Sequence, residues 1–86
     1  MNTTFLLMAQ YEGRAVIPID LVCRDYFSHL TPEKFLREQA AGDIAIPLLR
    51  MEESQKSARG IHLADLAAYV EKRRDSALRE QRSLHS

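Results

Sequence analysis

Hydrophobic positions recur at helical spacing in the segment PIDLVCRDYF, residues 18–27. Ile19, Val22, Cys23 and Tyr26 fall at positions i, i+3, i+4 and i+7, which is the apolar stripe of an amphipathic helix. Polar residues occupy the other side of the same segment. The pattern therefore predicts a first helix that buries one face.

The next segment, residues 30–42 (LTPEKFLREQAAG), carries start and stop signals for a second helix. Thr31 can accept a hydrogen bond from a first-turn amide, and Pro32 falls at the first helical position, where its missing N–H costs nothing. Gly42 supplies the left-handed residue that often closes a helix. Two short helices joined by about four residues have the layout of a helix-turn-helix. An ordinary packed helical pair has the same layout.

The N-terminal pattern is less regular. Residues 3–10 suit a strand, Gly13 offers a tight reversal, and residues 14–17 are again strand-like, which predicts a small β-hairpin. The consecutive apolar residues 6–8 do not identify one buried face at period two, so a helical start is the alternative.

A second hairpin is expected after the helix pair. Residues 43–50 read as an edge strand interrupted by Pro47, and the polar run MEESQKSARG (51–60) reads as an exposed loop before a return strand at 61–63. A hairpin directly after the second helix of a helix-turn-helix would be a wing.

The C-terminal pattern is helical over about residues 64–82. Its apolar stripe begins with Leu63, Leu66, Ala67 and Val70. Residues Leu63, Val70, Ala77 and Leu84 also recur every seven positions. The matching second seam would place Arg73 and Glu80 inside, so a regular coiled coil is not expected.

Together these elements predict an α+β fold, a small winged helix-turn-helix with an N-terminal β-hairpin and a long C-terminal helix. The 86 residues suit one small domain over residues 1–86. Twelve basic and 12 acidic residues give a net charge of zero, so any basic surface must arise by segregation of charge. The single cysteine, the lack of a leader pattern and the lack of a long apolar run indicate a cytoplasmic protein.

The sequence shows no arrangement of residues that is typical of a catalytic or metal site. His29, His62 and His85 lack metal-ligand spacing, and Cys23 lies on the apolar stripe of the first helix, where a core residue is expected. The three glycines form no phosphate-binding loop. We therefore expect no enzymatic activity, no metal and no cofactor.

Two cations of the second helix are candidate DNA contacts. Lys34 and Arg37 lie three residues apart on its exposed face and could reach phosphate or base edges in a major groove. Local ion pairs with Glu38 and Glu33 would equally account for both charges. Gln39 lies near the buried edge and is either half-buried or aimed at a base.

The expected wing carries cations and small polar donors suited to a phosphate backbone or a minor groove. Its candidate contacts are Arg50, Ser54, Gln55, Lys56, Ser57 and Arg59. Glu52 and Glu53 oppose these cations, and a generic solvated loop would have a similar composition.

Three separated blocks carry a family resemblance. TTFLLMAQYEGRAVIP, the helix pair DLVCRDYF and LTPEKFL, and SQKSARGIHLADLAAYVEKRR occur in order over roughly residues 2–75. Together they closely resemble the pyocin activator (PrtN-type) family of bacterial and prophage regulators. The helix pair, hairpin and closing DLAAYV helix also look like the excisionase and MerR-like winged-helix group, a looser analogy of architecture.

The family resemblance implies a transcriptional activator of bacteriocin or prophage genes. Such a protein would bind short repeated boxes in double-stranded promoter DNA after DNA damage, with RNA polymerase as a candidate partner. Carried onto this chain, the second helix would supply Thr31, Lys34 and Arg37, and the SQKSARG block would supply the wing contacts. Since one protomer of zero net charge should bind weakly, we also expect a homo-oligomer, a dimer, joined through the C-terminal helix.

Two other functions fit the same pattern. An excisionase-like architectural factor would bend DNA beside a recombinase, and a protein-binding antirepressor or adaptor would not touch DNA at all.

Overall fold

The computed structural model describes residues 2–54 and 57–85 and has an α+β architecture. In chain order its elements are α1 (Thr3–Gln10), β1 (Val16–Pro18), α2 (Ile19–Tyr26), α3 (Pro32–Ala40), β2 (Leu49–Arg50), β3 (Arg59–His62) and α4 (Leu63–His85). The strands form an antiparallel sheet in the order β1-β3-β2. The predicted α+β class and the long C-terminal helix are confirmed.

Residues from all four helices and from the sheet form one apolar core. Its largest fully buried side chains are Phe35, Ile17, Ile61, Leu66 and Val22. Phe35 of α3 meets Phe27, which follows α2, edge to face with ring centroids 5.0 Å apart. This contact holds the helix pair together, since such aromatic pairs contribute beyond their burial alone.

The predicted N-terminal hairpin is wrong, and the helical alternative is correct. Asn2 caps α1 by accepting a hydrogen bond from the Phe5 amide, and Leu7 buries the single apolar face of this helix. β1 pairs instead with β3, far along the chain. The run of apolar residues has no period of two because it folds as a helix, in which Leu7 is buried while Leu6 and Met8 stay exposed.

The end signals of α3 act as predicted. The Thr31 hydroxyl accepts the Lys34 amide at 3.2 Å, Pro32 is the first helical residue, and Gly42 has φ of +87°. α2 likewise occupies the segment predicted for the first helix, with Ile19, Val22 and Cys23 buried. A turn at residues 28–30 separates the two helices.

The second hairpin exists, but its strands differ from the predicted ones. Only Leu49 and Arg50 pair on the outgoing side, whereas Ile44 and Ile46 reach the core from a segment without strand pairing. β3 begins at Arg59, two residues before the predicted start. The expected strand does not form over most of this segment. Its apolar residues are held by packing against the core, and this packing needs no hydrogen bonds to a neighbouring strand.

Gly60 lies where three strands come closest. It pairs with Pro18 on one side and with Leu49 on the other. A Cβ atom at this position would lie 2.6 Å from the Ile17 carbonyl oxygen and 2.6 Å from the Val16 side chain. The close packing of the sheet therefore requires glycine here.

None of the described helices is both long enough and apolar enough to cross a membrane.

Candidate nucleic-acid interface

The rotation of α3 is fixed by what it buries. Phe35 is fully buried and Leu36 is half-buried, so the opposite face points to solvent. Lys34 and Arg37 lie on that exposed face, together with the small residue Ala40. A helix that presents two cations and a small side chain can approach nucleic acid closely.

The local ion pairs considered for α3 do not form. Within the described ranges, the one ion pair of the chain joins Arg24 and Asp25 on α2. Lys34 and Arg37 are therefore not neutralised by Glu38 or Glu33 and keep their charges available for an external anion.

The side chain of Gln39 is bonded within the fold. It does not point to solvent, as a side chain that contacts a DNA base would. Its side-chain amide donates to the Ile46 carbonyl at 3.0 Å, and the residue is half-buried. The Asp43 amide donates to the Glu38 carbonyl at 2.9 Å in the same bend. These bonds, with Ile44 in the core, fix the path from α3 to the hairpin.

Arg50 and Arg59 lie directly opposite each other on β2 and β3. The neighbouring pair is joined by a hydrogen bond of 3.1 Å from the Met51 amide to the Ala58 carbonyl, so the two arginines occupy the alternate, non-hydrogen-bonded pair. Side chains are closest at such pairs, and like charges placed there destabilise a sheet. Both arginines are exposed, and neither has an ion-pair partner in the described part of the chain.

Two hydrogen bonds from Ser57 join the described parts of the connection between these strands, residues 51–54 and 57–58. The Ser57 hydroxyl donates to the Glu52 carbonyl at 2.9 Å, and the Ser57 amide donates to the Ser54 carbonyl at 3.1 Å. Ser57 is half-buried, and its hydroxyl proton is used in the bond to Glu52. Ser54 is exposed. The predicted contacts Gln55 and Lys56 lie outside the described residues.

The predicted contacts thus fall into two clusters. The first contains Lys34 and Arg37 of α3 with the N-cap residue Thr31, and the second, on the hairpin, is centred on Arg50 and Arg59. The sequence pattern does not predict that the two arginines face each other, because the polar run that contains Arg59 is typical of a loop. The pairing of β3, which begins at Arg59, brings them together.

A polar network joins the C-terminal end of α1 to α2. Tyr11 donates to the Asp25 carboxylate at 2.7 Å, and Arg24 donates to it at 2.8 Å. The hydrogen bonds from Arg24 and Tyr11 hold the pKa of Asp25 below its usual value. Burial, reinforced by Asp25, raises the pKa of Tyr11. Both groups therefore keep their ordinary charges at neutral pH, as a structural contact requires.

The residues considered for catalysis have structural surroundings. Cys23 is buried, and burial together with the charge of Asp20 raises the pKa of its thiol, which suppresses the reactive thiolate. His62 accepts the Ala64 amide through Nδ1 at 3.0 Å, at the start of α4. No group of three or more potential metal ligands occurs in residues 2–54 and 57–85.

The sequence model of the family described as "Pyocin activator protein PrtN" matches residues 3–77. No curated protein and no solved structure matches the chain significantly.

Proposed function

This chain belongs to the pyocin activator protein family, and we propose that it regulates pyocin genes by binding their promoter DNA as a winged helix-turn-helix activator. In this proposal α2 and α3 form the helix-turn-helix and the β2–β3 hairpin is the wing. α3 enters the major groove, and the wing lies on the adjoining backbone or minor groove.

The observation that carries the proposal is the facing pair of Arg50 and Arg59. A sheet gains nothing from two arginines at a non-hydrogen-bonded pair, and their repulsion lowers its stability. The same pair is useful when a polyanion binds, because phosphate oxygens accept hydrogen bonds from guanidinium groups and cancel their repulsion. We therefore assign the pair to the phosphate backbone.

The exposed face of α3 supplies the second half of the contact. Lys34 and Arg37 have no carboxylate partner among the described residues, and Arg37 can bind a guanine edge in a bidentate manner. The Thr31 hydroxyl accepts the Lys34 amide through its oxygen and retains its own proton for a phosphate at the positive end of the helix.

Membership of the family supports a biological setting for the protein. We propose that the target sites are short repeated boxes upstream of bacteriocin or prophage genes, that binding follows DNA damage, and that the bound protein recruits RNA polymerase. The mechanism needs no catalytic step, since phosphate contacts fix the register and base contacts fix the sequence.

The test is a salt series of DNA affinities on a duplex from upstream of a pyocin gene cluster. Replacing Arg50 and Arg59 together by alanine should make the slope of log K, where K is the binding constant, against log salt concentration less steep. The expected change in slope is about 0.9 for each phosphate that the variant no longer neutralises. Replacing Lys34 and Arg37 together is expected to reduce the preference for the specific duplex over an unrelated one. The matched control replaces Lys72 and Arg79, two exposed cations of α4, and should leave both quantities unchanged.

Unchanged affinity in both interface variants would overturn the assigned contacts. Absence of any salt-dependent DNA binding by the wild-type chain would overturn the proposed function and favour a protein-binding adaptor. If DNA binding holds, activation of a reporter in cells without a recombinase separates an activator from an excisionase-like factor.

A further inference from the structure

The second half of α4 extends beyond the rest of the molecule. Residues 72–85, here called the α4 arm, are exposed except for half-buried Ser76. At 1.5 Å per residue the arm is about 21 Å long, in keeping with overall dimensions of 51 × 29 × 20 Å. Isolated helices of this length are marginal in water, so a binding partner for the arm would stabilise it.

The arm continues the stripe with which α4 packs on the core. A helical repeat of 3.6 residues places Ala77, Gln81 and Leu84 in line with the buried Leu66 and the half-buried Val70. Leu84 is 76% exposed. A core-facing stripe therefore runs past the core onto a surface that no described residue of the same chain covers.

A groove lies where the arm leaves the body. Leu6 of α1, Tyr26 of α2 and Val70 of α4 line a cavity of about 450 Å³, with Arg74 at its edge. A second cavity of about 300 Å³ is also lined by Val70, together with Arg73. Leu6 is 53% exposed, so the groove offers apolar surface to a projecting aliphatic side chain.

The charges along the arm favour a second copy of the same arm, in the antiparallel direction, as its partner. Arg73 and Glu80 lie along the same edge of the stripe, seven residues apart. In a parallel, in-register pair of arms, Arg73 would lie beside the arginines 73 and 74 of the other copy. In an antiparallel pair centred on Ala77, Arg73 lies within about one residue rise of the other copy's Glu80, and the reverse contact follows by symmetry.

The same antiparallel register brings the large apolar side chain near the end of each arm to the cavities of the other copy. It places Leu84 of each copy at the level of Val70 of the other, where the cavities lie. Ala77 then meets its own symmetry mate, and its small side chain lets the two helices approach closely. Arg73 and Glu80, which argue against a regular coiled coil, would then face each other across the pair as opposite charges.

We propose that the α4 arm is a self-association surface on which a second copy of this chain docks antiparallel, with the two-fold axis at Ala77 and Leu84 of each copy in the Leu6–Tyr26–Val70 groove of the other. This inference does not depend on DNA binding. The dimer would carry two copies of α3 and of the hairpin related by a two-fold axis, as repeated sites require.

Charge reversal with rescue tests the register. Arg73→Glu and Glu80→Arg should each raise the dimer dissociation constant about tenfold or more by sedimentation equilibrium. The double variant restores opposite charges and should return to the wild-type value, as should an equimolar mixture of the two single variants. Arg79→Glu makes the same charge change on the opposite side of the arm and should have no effect. Circular dichroism verifies that each variant is folded.

Disulfide cross-linking tests the direction. Chains with Val70→Cys and chains with Leu84→Cys, tagged to differ in mass, should form the mixed disulfide in preference to either symmetric one. Wild-type protein, whose only thiol is the buried Cys23, is the control. A predominant symmetric Leu84→Cys disulfide, a failed rescue, or a wild-type mass of one chain at micromolar concentrations would each overturn the proposal, and none of these results bears on DNA binding.

Discussion

Arg59→Glu is expected to stabilise the fold while it weakens DNA binding. Arg59 faces Arg50 across β2 and β3, so the substitution replaces a like-charge pair by an opposite-charge pair. The repulsion that is lost and the attraction that is gained each amount to about 0.2–1 kcal/mol at a cross-strand position. Because both side chains are exposed, solvent screening favours the lower half of that range, and the sum is about 0.5–1 kcal/mol.

This free energy converts into a measurable melting shift. A domain of 60–100 residues gains about 4–8 °C for each 1 kcal/mol, so the variant should melt about 2–8 °C above the wild type at low salt. The gain should largely vanish near 1 M salt, where the screening length is about 3 Å. Thermal unfolding followed by circular dichroism at both salt concentrations measures this shift.

Two further variants separate the contributions. Arg59→Gln removes the repulsion without adding an attraction and should melt between the wild type and Arg59→Glu. The double variant Arg50→Glu, Arg59→Glu restores a like-charge pair and should lose most of the gain. If Arg59→Glu melted below Arg59→Gln at low salt, the two side chains would not face each other, and the argument for a phosphate-binding pair would fail.

Three other substitutions test the framework around the interface. Phe35→Ala should lower the free energy of unfolding by about 3–5 kcal/mol in urea titrations, since it empties a fully buried site; a loss below about 1 kcal/mol would contradict the buried position. Gly60→Ala should cost about 1–3 kcal/mol in the same titrations because its methyl group overlaps a neighbouring carbonyl, and a neutral effect would contradict the close strand approach. Asp25→Asn should lower stability at pH 7. Its pKa is lowered on folding by Arg24 above all, so its contribution is present above the ordinary carboxyl pKa of about 3.9 and disappears as the pH falls through the lower folded value. Unfolding curves of wild type and variant should therefore converge in acid, and a constant gap would refute the assignment.

Local chemistry accounts for the elements that the sequence predicts well. The bounds of α3 follow from Thr31, Pro32 and Gly42, which act through bonds and dihedral angles within a few residues. The same holds for the stripe of α2. Such signals need no knowledge of the rest of the molecule.

Long-range pairing accounts for what the sequence does not predict. Whether residues 3–10 form a strand or a helix depends on whether β1 pairs with them or with β3, about 45 residues away. The facing of Arg50 and Arg59 depends on the register in which β2 pairs with β3. Neither the partner of β1 nor this register can be inferred from the local propensities of the residues.

The bond from Gln39 to the Ile46 carbonyl separates what positions α3 from what α3 presents. The side chains that orient this helix, Phe35 and Gln39, both point inward, and the outward face contributes nothing to the core. The outward positions can therefore be exchanged as a set without refolding the molecule. A library randomised at residues 33, 34, 37 and 40 would therefore vary the surface that α3 presents and leave its attachment to the core unchanged.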